Sequence, residues 1–306
     1  MRRTTVVVIV LLICLLPASA QDDRALLREK TSARIDRLIS EAHGIVGYAA
    51  IDLVTGELLG QNQDLVFPQA SAIKIPILIE VFRQAEAAEL SLTEQLPVRA
   101  AEKVGGSGVA QYFADSASAL SLGDLCVLMI VLSDNTATNI IIERVGIERV
   151  NAMLRSHGFR ATSLRRVMMD EAASAHDREN TSTPLEAARI MALLQKGEFV
   201  SPELNEQILQ LLSVGKGGSF AGVFPDSVQV AWKPGGIAGV QTVWALVRLP
   251  ERPYTFAVME KFDSSGEAGE LQRTIARILF DYFWRLGNAS RYGTFVDPAL
   301  RAGDTE

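Results

Sequence analysis

The chain has 306 residues, 48% of them hydrophobic and 22% charged, with a net charge of −6 and a pI near 5.3. That length and composition fit one large or two intimately packed globular domains and exclude a disordered chain. The acidic balance, with no Lys/Arg run beyond pairs such as Arg165 and Arg166, argues against nucleic acid as a partner.

At the start, Arg2 and Arg3 precede an apolar run from Val6 to Leu16, then Pro17 and the small residues Ala18, Ser19 and Ala20. This is the layout of a secretory signal peptide, 1–20, cut before Gln21. A membrane anchor is the alternative, although the run is shorter than a span requires. The expectation is an exported monomer, periplasmic or extracellular, with no membrane attachment after cleavage. Cys126 would then be the sole cysteine, so no internal disulfide can form, and its place in LCVLMIVL suits a buried packing residue.

Residues 24–42 space Leu26, Leu27, Ile35, Leu38 and Ile39 as one face of an amphipathic helix that ends at His43 and Gly44. IVGYAAIDL and ELLGQN, joined through Val54, Thr55 and Gly56, read as a hairpin. Next, FPQASAIKIPILIEVFRQAE puts Ile75, Leu78, Ile79 and Phe82 on one face of a core helix opened by Ser71. Pro76 lies near its first turn, where one lost ladder bond is tolerable. Helical signals dominate to about residue 215, in SLTEQLPV, GDLCVLMIVL, TATNIIIERVG, IERVNAMLRSHG and TPLEAARIMALLQKG. VQVAWK, GVQTVWALVRLP and PYTFAVMEKF then read as three consecutive strands, closed by a helix at about 269–286. This order predicts an α+β fold, an antiparallel sheet flanked by helices and interrupted by an all-α insertion. The expected division is an α/β subdomain of 21–61 and 226–306 and an all-α subdomain of 62–225, together one domain, 21–306.

Three short segments carry chemistry. Ser71 and Lys74 lie one helical turn apart, which sets an amine beside a hydroxyl. A partly desolvated lysine with a depressed pKa can take the proton of a serine nucleophile, and the helix N-terminus offers N–H groups to an oxyanion. A second S-x-x-K, Ser213 and Lys216, runs into Gly217 and Gly218 rather than an apolar helix and reads as a loop coincidence. Ser133-Asp134-Asn135 follows an apolar helix where the chain must turn. Ser133 could relay a proton between a leaving group and Lys74, and the Asn135 amide could bond a substrate carbonyl or hold the lysine; a helix N-cap is the alternative reading. In AWKPGG, Lys233 could attract a substrate carboxylate, while Gly235 and Gly236 allow close approach of a substrate backbone.

Together, SAIK, SDN and KPG resemble the S-x-x-K, S-D-N and K-[TS]-G set of the penicillin-recognising serine hydrolases, most closely the class A β-lactamases. The intervals, 62 residues from Ser71 to Ser133 and 100 from Ser133 to Lys233, agree with that resemblance. It extends through SDNTATN, ENTSTP, GVQTVWALVRLP and the closing helix, and so covers nearly the whole mature chain. The β-lactamase/transpeptidase-like fold is implied, as is a cofactor-free acyl-enzyme reaction on a small amide or ester substrate, a β-lactam first. The resemblance makes Ser71 the acylated nucleophile, Lys74 its activator and Ser133 the donor to the leaving nitrogen. Asn135 would contact the acyl side-chain amide, and Lys233 the substrate carboxylate. The N–H groups of Ser71 and Gly236 would form the oxyanion hole.

Two departures stand out. The family loop R-x-E-x-x-L-N carries the Glu that activates the deacylating water, but here SLRRVMMDEAASAHDREN places Val167 or Met168 at that point. Asp170 and Glu171 are the nearest carboxylates and the candidate bases, with a structural or solvent-exposed role as the alternative. Second, Pro234 replaces the hydroxyl residue of K-[TS]-G, which weakens carboxylate binding and requires an edge strand. Arg248 is too far along to replace that hydroxyl. These departures keep open an esterase or D-Ala peptidase that β-lactams merely acylate, and a non-turnover acylation sensor. His43, His157 and His176 are scattered without metal-ligand spacing, no nucleotide-phosphate loop is present, and no metal is expected. GGSG at 105–108 is expected to be a loop near the mouth of the site.

Overall fold

The computed structural model describes residues 23–115, 117–215, 220, 222–290 and 292–296. The leader-like segment 1–20 and Lys216 lie outside them. In chain order the elements are α1 (Asp23–Glu41), β1 (Ile45–Asp52), β2 (Leu58–Gln61), β3 (Phe67–Pro68), a 3-10 turn (Ala70–Ile73), α2 (Lys74–Glu86), β4 (Gln95–Pro97) and β5 (Ala119–Ser121). There follow α3 (Leu122–Val131), α4 (Asn135–Val145), α5 (Ile147–Ser156), α6 (Glu171–Ala175), β6 (Thr181–Ser182), α7 (Pro184–Lys196) and α8 (Pro202–Ser213). The chain closes with β7 (Gln229–Ile237), β8 (Val240–Arg248), β9 (Tyr254–Lys261) and α9 (Ala268–Asn288).

Five strands form one antiparallel sheet in the order β2-β1-β9-β8-β7. Alternation along β8 and β9 divides their side chains between two cores. Val243, Ala245, Val247, Tyr254, Phe256 and Val258 pack under α1 and α9, whereas Trp244, Leu246, Ala257 and Met259 join the core built from α2 to α8. With both faces covered, these strands read as nearly continuous apolar runs. The expected α+β architecture, an antiparallel sheet flanked by helices, is present; the segment between β2 and β7 is not all-α, since β3 pairs with β6 and β4 with β5 within it.

One expected helix is absent. Within SLTEQLPV, Gln95–Pro97 pairs with Ala119–Ser121, Leu96 opposite Leu120. Pro97 disfavours a helical residue before it and leaves too few positions after Ser91 for a stable helix, so pairing prevails. A smaller difference concerns Ser71, which sits in the 3-10 turn ahead of α2, with Ala70 at φ 44°. Pro76 is the third residue of α2, where an N–H would lack a helical partner anyway.

Candidate active site

Gln69 positions the turn that carries Ser71. Fully buried, it receives Trp244 Nε1–H on Oε1 at 2.8 Å and the Thr242 hydroxyl on its main-chain oxygen at 3.0 Å, and its own N–H donates to Asn180 O at 2.8 Å. The turn is thereby fastened to β8 and to the start of β6. Gly235 on β7 lies against the same turn, where a Cβ would stand 2.5 Å from Gln69 O and 2.8 Å from Ala72 N. No side chain fits there. Since β7 is an edge strand, Pro234 is tolerated within it, opposite Val243.

Lys74 points beneath this turn and is wholly buried. Its Nζ donates to Ser133 O at 2.6 Å, Ser133 Oγ at 3.2 Å and Asn135 Oδ1 at 3.0 Å. These bonds run to the Ser133 loop rather than to Ser71. Burial pushes the Lys74 amine well below its ordinary pKa, the charge of Lys233 lowers it further, and Asp134 opposes both. Lys233, also buried, donates from Nζ to Ser133 Oγ at 3.0 Å and to Pro234 O at 3.0 Å. The Ser133 hydroxyl therefore bridges two lysines, a geometry suited to passing a proton toward Lys74.

Ser133 owes its position to Asp134. With φ 53°, Ser133 turns the chain between α3 and α4, and Asp134 caps α4 by accepting from Ala137 N–H at 2.8 Å. The N-cap alternative for this segment is thus also realised, on Asp134. Its second oxygen accepts the N–H groups of Val109 and Ala110 at 2.6 and 2.8 Å, which binds the 105–108 loop to the site. At Gly108, with φ 103°, a Cβ would stand 2.2 Å from the Asp134 carboxylate. Asn135 donates from Nδ2 to Gly105 O at 3.1 Å while accepting from Lys74, so its amide holds the lysine.

A cavity of about 450 Å³ opens over Ser71 and extends toward the 163–181 loop; Gly106, Ser107, Asn135, Met168, Met169, Asp170, Glu171, Gly236 and Ile237 help to line it. The loop is closed at its base by paired main-chain bonds between Ser163 and Thr181, at 2.9 and 3.0 Å. Arg166, not Arg165, forms its internal ion pair, with Glu179 at 2.8 Å. Of the two residues that could occupy the acidic position, Met168, itself buried in the helical core, lines the cavity, whereas Val167 packs against that core and is not part of the lining. Asn139 brackets Met168, accepting its N–H at 2.7 Å and donating to its carbonyl at 3.1 Å. Asp170 and Glu171 both reach the loop end, Asp170 Oδ1 capping α6 through Ala173 N–H at 2.9 Å and Glu171 standing exposed. Arg248 lies at the far end of β8, paired with Glu206 at 2.9 Å, and none of the three histidines lines the cavity.

Residues 30–283 match the profile described as the Beta-lactamase enzyme family. The chain belongs to that family. A β-lactamase of Rhodobacter capsulatus is 28% identical over 207 residues, which are 67% of this chain and 69% of that protein. Among solved structures, PBP-A superposes with a TM-score of 0.76 at 27% identity, covering 83% of this chain and 96% of its own. An ancestral class A β-lactamase gives 0.76 at 25% identity, covering 83% of this chain and 100% of its own. Within this β-lactamase frame, the sequence motifs pointed to Ser71, Lys74, Ser133, Asn135, Lys233, Gly235 and Gly236, and all seven converge around one turn. Gln69, Thr242 and Trp244, and the hold of Asp134 on Val109 and Ala110, were missed because their contribution is a set of hydrogen bonds between segments far apart in the chain. The signal available was a glutamine set immediately before Ala70-Ser71 in an otherwise apolar stretch.

Proposed function

We propose that this β-lactamase-family chain is a serine hydrolase acylated by β-lactams at Ser71, with release of the acyl group as the slow step. The observation that carries the reading is the buried Lys74 amine, held on Ser133 and Asn135 with Lys233 beyond it. Ser71 Oγ attacks the lactam carbonyl as its proton passes to Lys74. The C–N bond breaks, Ser133 donates its proton to the departing nitrogen, and Lys74 restores that proton to Ser133. The N–H groups of Ser71 and Gly236 would stabilise the intermediate oxyanion. A mutant of PBP-A has been solved as an acyl-enzyme complex with penicillin G, which supports this first half-reaction in a related fold.

Hydrolysis of the ester needs water deprotonated near Ser71. Met168 lines the wall of the cavity and cannot serve, Asp170 holds one oxygen on the cap of α6, and Glu171 stands exposed at the loop end of the cavity. A peptidase or esterase for which β-lactams act as slow substrates is the second reading, favoured by Pro234, which offers no hydroxyl to a substrate carboxylate.

The test is intact-protein mass spectrometry after mixing with benzylpenicillin, sampled over time. The expected result is a persistent adduct that is absent from Ser71→Ala. In Met168→Glu the adduct should decay about 100-fold faster, as expected of a restored general base. No Ser71-dependent adduct would overturn the proposal, and an adduct that decays as fast in the parent as in Met168→Glu would overturn the assignment of the slow step.

A further inference from the structure

The cavity is lopsided about Ser71. Its lining includes Arg166, Met168, Met169, Asp170, Glu171, Ser174 and Asn180 from the loop side, but none of Ser133, Lys233 or Pro234. A molecule that reacts at Ser71 and fills this space therefore lays its acyl arm toward the loop, with its leaving group on the lysine side. The charges at the arm's end do not balance. Arg166 is neutralised by Glu179 at 2.8 Å, whereas neither Asp170 nor Glu171 has a cationic partner among the described residues. Met168 and Met169 of the loop, with Ile237 and Ala238 at the end of β7 opposite, supply the apolar part of the lining, and Ser174 and Asn180 are uncharged. An arm entering there meets two carboxylates at the open rim of the cavity, Glu171 exposed and Asp170 half-buried, where an unpaired charge still attracts or repels a charge a few ångströms away.

We propose that the cavity selects acyl donors by the charge of the arm, favouring cationic over neutral and neutral over anionic arms, with Asp170 and Glu171 as the specificity-determining residues. The carboxylates do not make the site; the cavity over Ser71 does, and the inference rests on the reading of Ser71 as the nucleophile. The substrate class this describes is an amide or strained lactam whose acyl side chain carries an amine.

Three penicillins with one nucleus and one phenylacetyl arm test this, the arm's α-carbon bearing an ammonium, a hydrogen or a carboxylate. Second-order acylation rates would be taken by mass spectrometry at about pH 6.5, where an α-amino group is mostly protonated. The expected order is ammonium, hydrogen, carboxylate, with about tenfold between the extremes. In Asp170→Asn/Glu171→Gln the ratio of the extremes should fall to about twofold or less; Asn retains the cap of α6, so the loop keeps its support. Equal rates, a reversed order, or a spread that survives the double variant would overturn the charge selection alone. No Ser71 adduct with any of the three would overturn both the selection and the acylation it rests on.

Discussion

Lys74 can take a proton from Ser71 only while it is neutral, and its surroundings favour that form. Burial is the larger cause, the Lys233 charge the second, and Asp134 works the other way. The sign follows directly. A lysine with a lowered pKa is already neutral at pH values where an ordinary lysine is protonated, so acylation should be lost only as pH falls through the lowered value. Replacing Lys233 removes a positive neighbour, which lets the Lys74 pKa climb back. In Lys233→Met, the acid limb of the acylation rate against pH should therefore move to higher pH, in addition to any fall in the plateau. A limb that stays in place while the plateau drops would mean that Lys233 acts on the substrate and not on the base.

At the scale of elements, the site depends on how the 163–181 loop is tied. Asn180, 2% exposed, accepts the N–H groups of Arg165 and Arg166 at 2.7 and 3.0 Å and donates to Arg166 O at 3.1 Å. Truncation would leave those half-buried main-chain groups without their partner. Asn180→Ala should cost roughly 1–3 kcal/mol, seen as a lower melting temperature, with earlier proteolytic cleavage inside the loop than elsewhere. Unchanged melting and cleavage would show that Arg166–Glu179 alone suffices. Elements with strong periodicity, such as α2, α4 and α9, were legible in the sequence because their apolar faces are set by local spacing. The hairpin and the β7–β9 strands were legible through alternation and turn residues. The loop was not. Whether Val167 or Met168 lines the cavity over Ser71 depends on the Asn139 bracket from α4, and the choice of Arg166 over Arg165 depends on Glu179, neither of which local pattern encodes. SLTEQLPV failed for a related reason, since its pairing partner at Ala119–Ser121 lies outside any local window.

For the molecule as a whole, the question is whether the sheet and the helical block can part. Chains of this size often unfold through intermediates. Here the core of the helical block is not closed by the helices alone: Ala231, Trp244, Leu246, Ala257 and Met259 of the sheet complete it. The Thr255 hydroxyl donates to Ala188 O at 2.9 Å, and Trp244 donates to Gln69 at 2.8 Å, which links β9 to α7 and β8 to the Ser71 turn. Separating the two parts would expose the sheet's inner face and break these bonds at once, so one cooperative transition is expected. Trp244 is fully buried at the junction, while Trp284 on α9 is 38% exposed. In a Trp284→Phe variant, the remaining fluorescence comes from the sheet tryptophans, whereas far-ultraviolet circular dichroism is weighted toward the helices. The two signals and the loss of Ser71 acylation should share one midpoint in guanidinium chloride. If fluorescence and acylation were lost at lower denaturant while most of the helical signal remained, the junction would be a weak seam and the helices would hold without the sheet. Coincidence of all three would mean that the active site, built from both sides of the junction, persists for as long as the fold does.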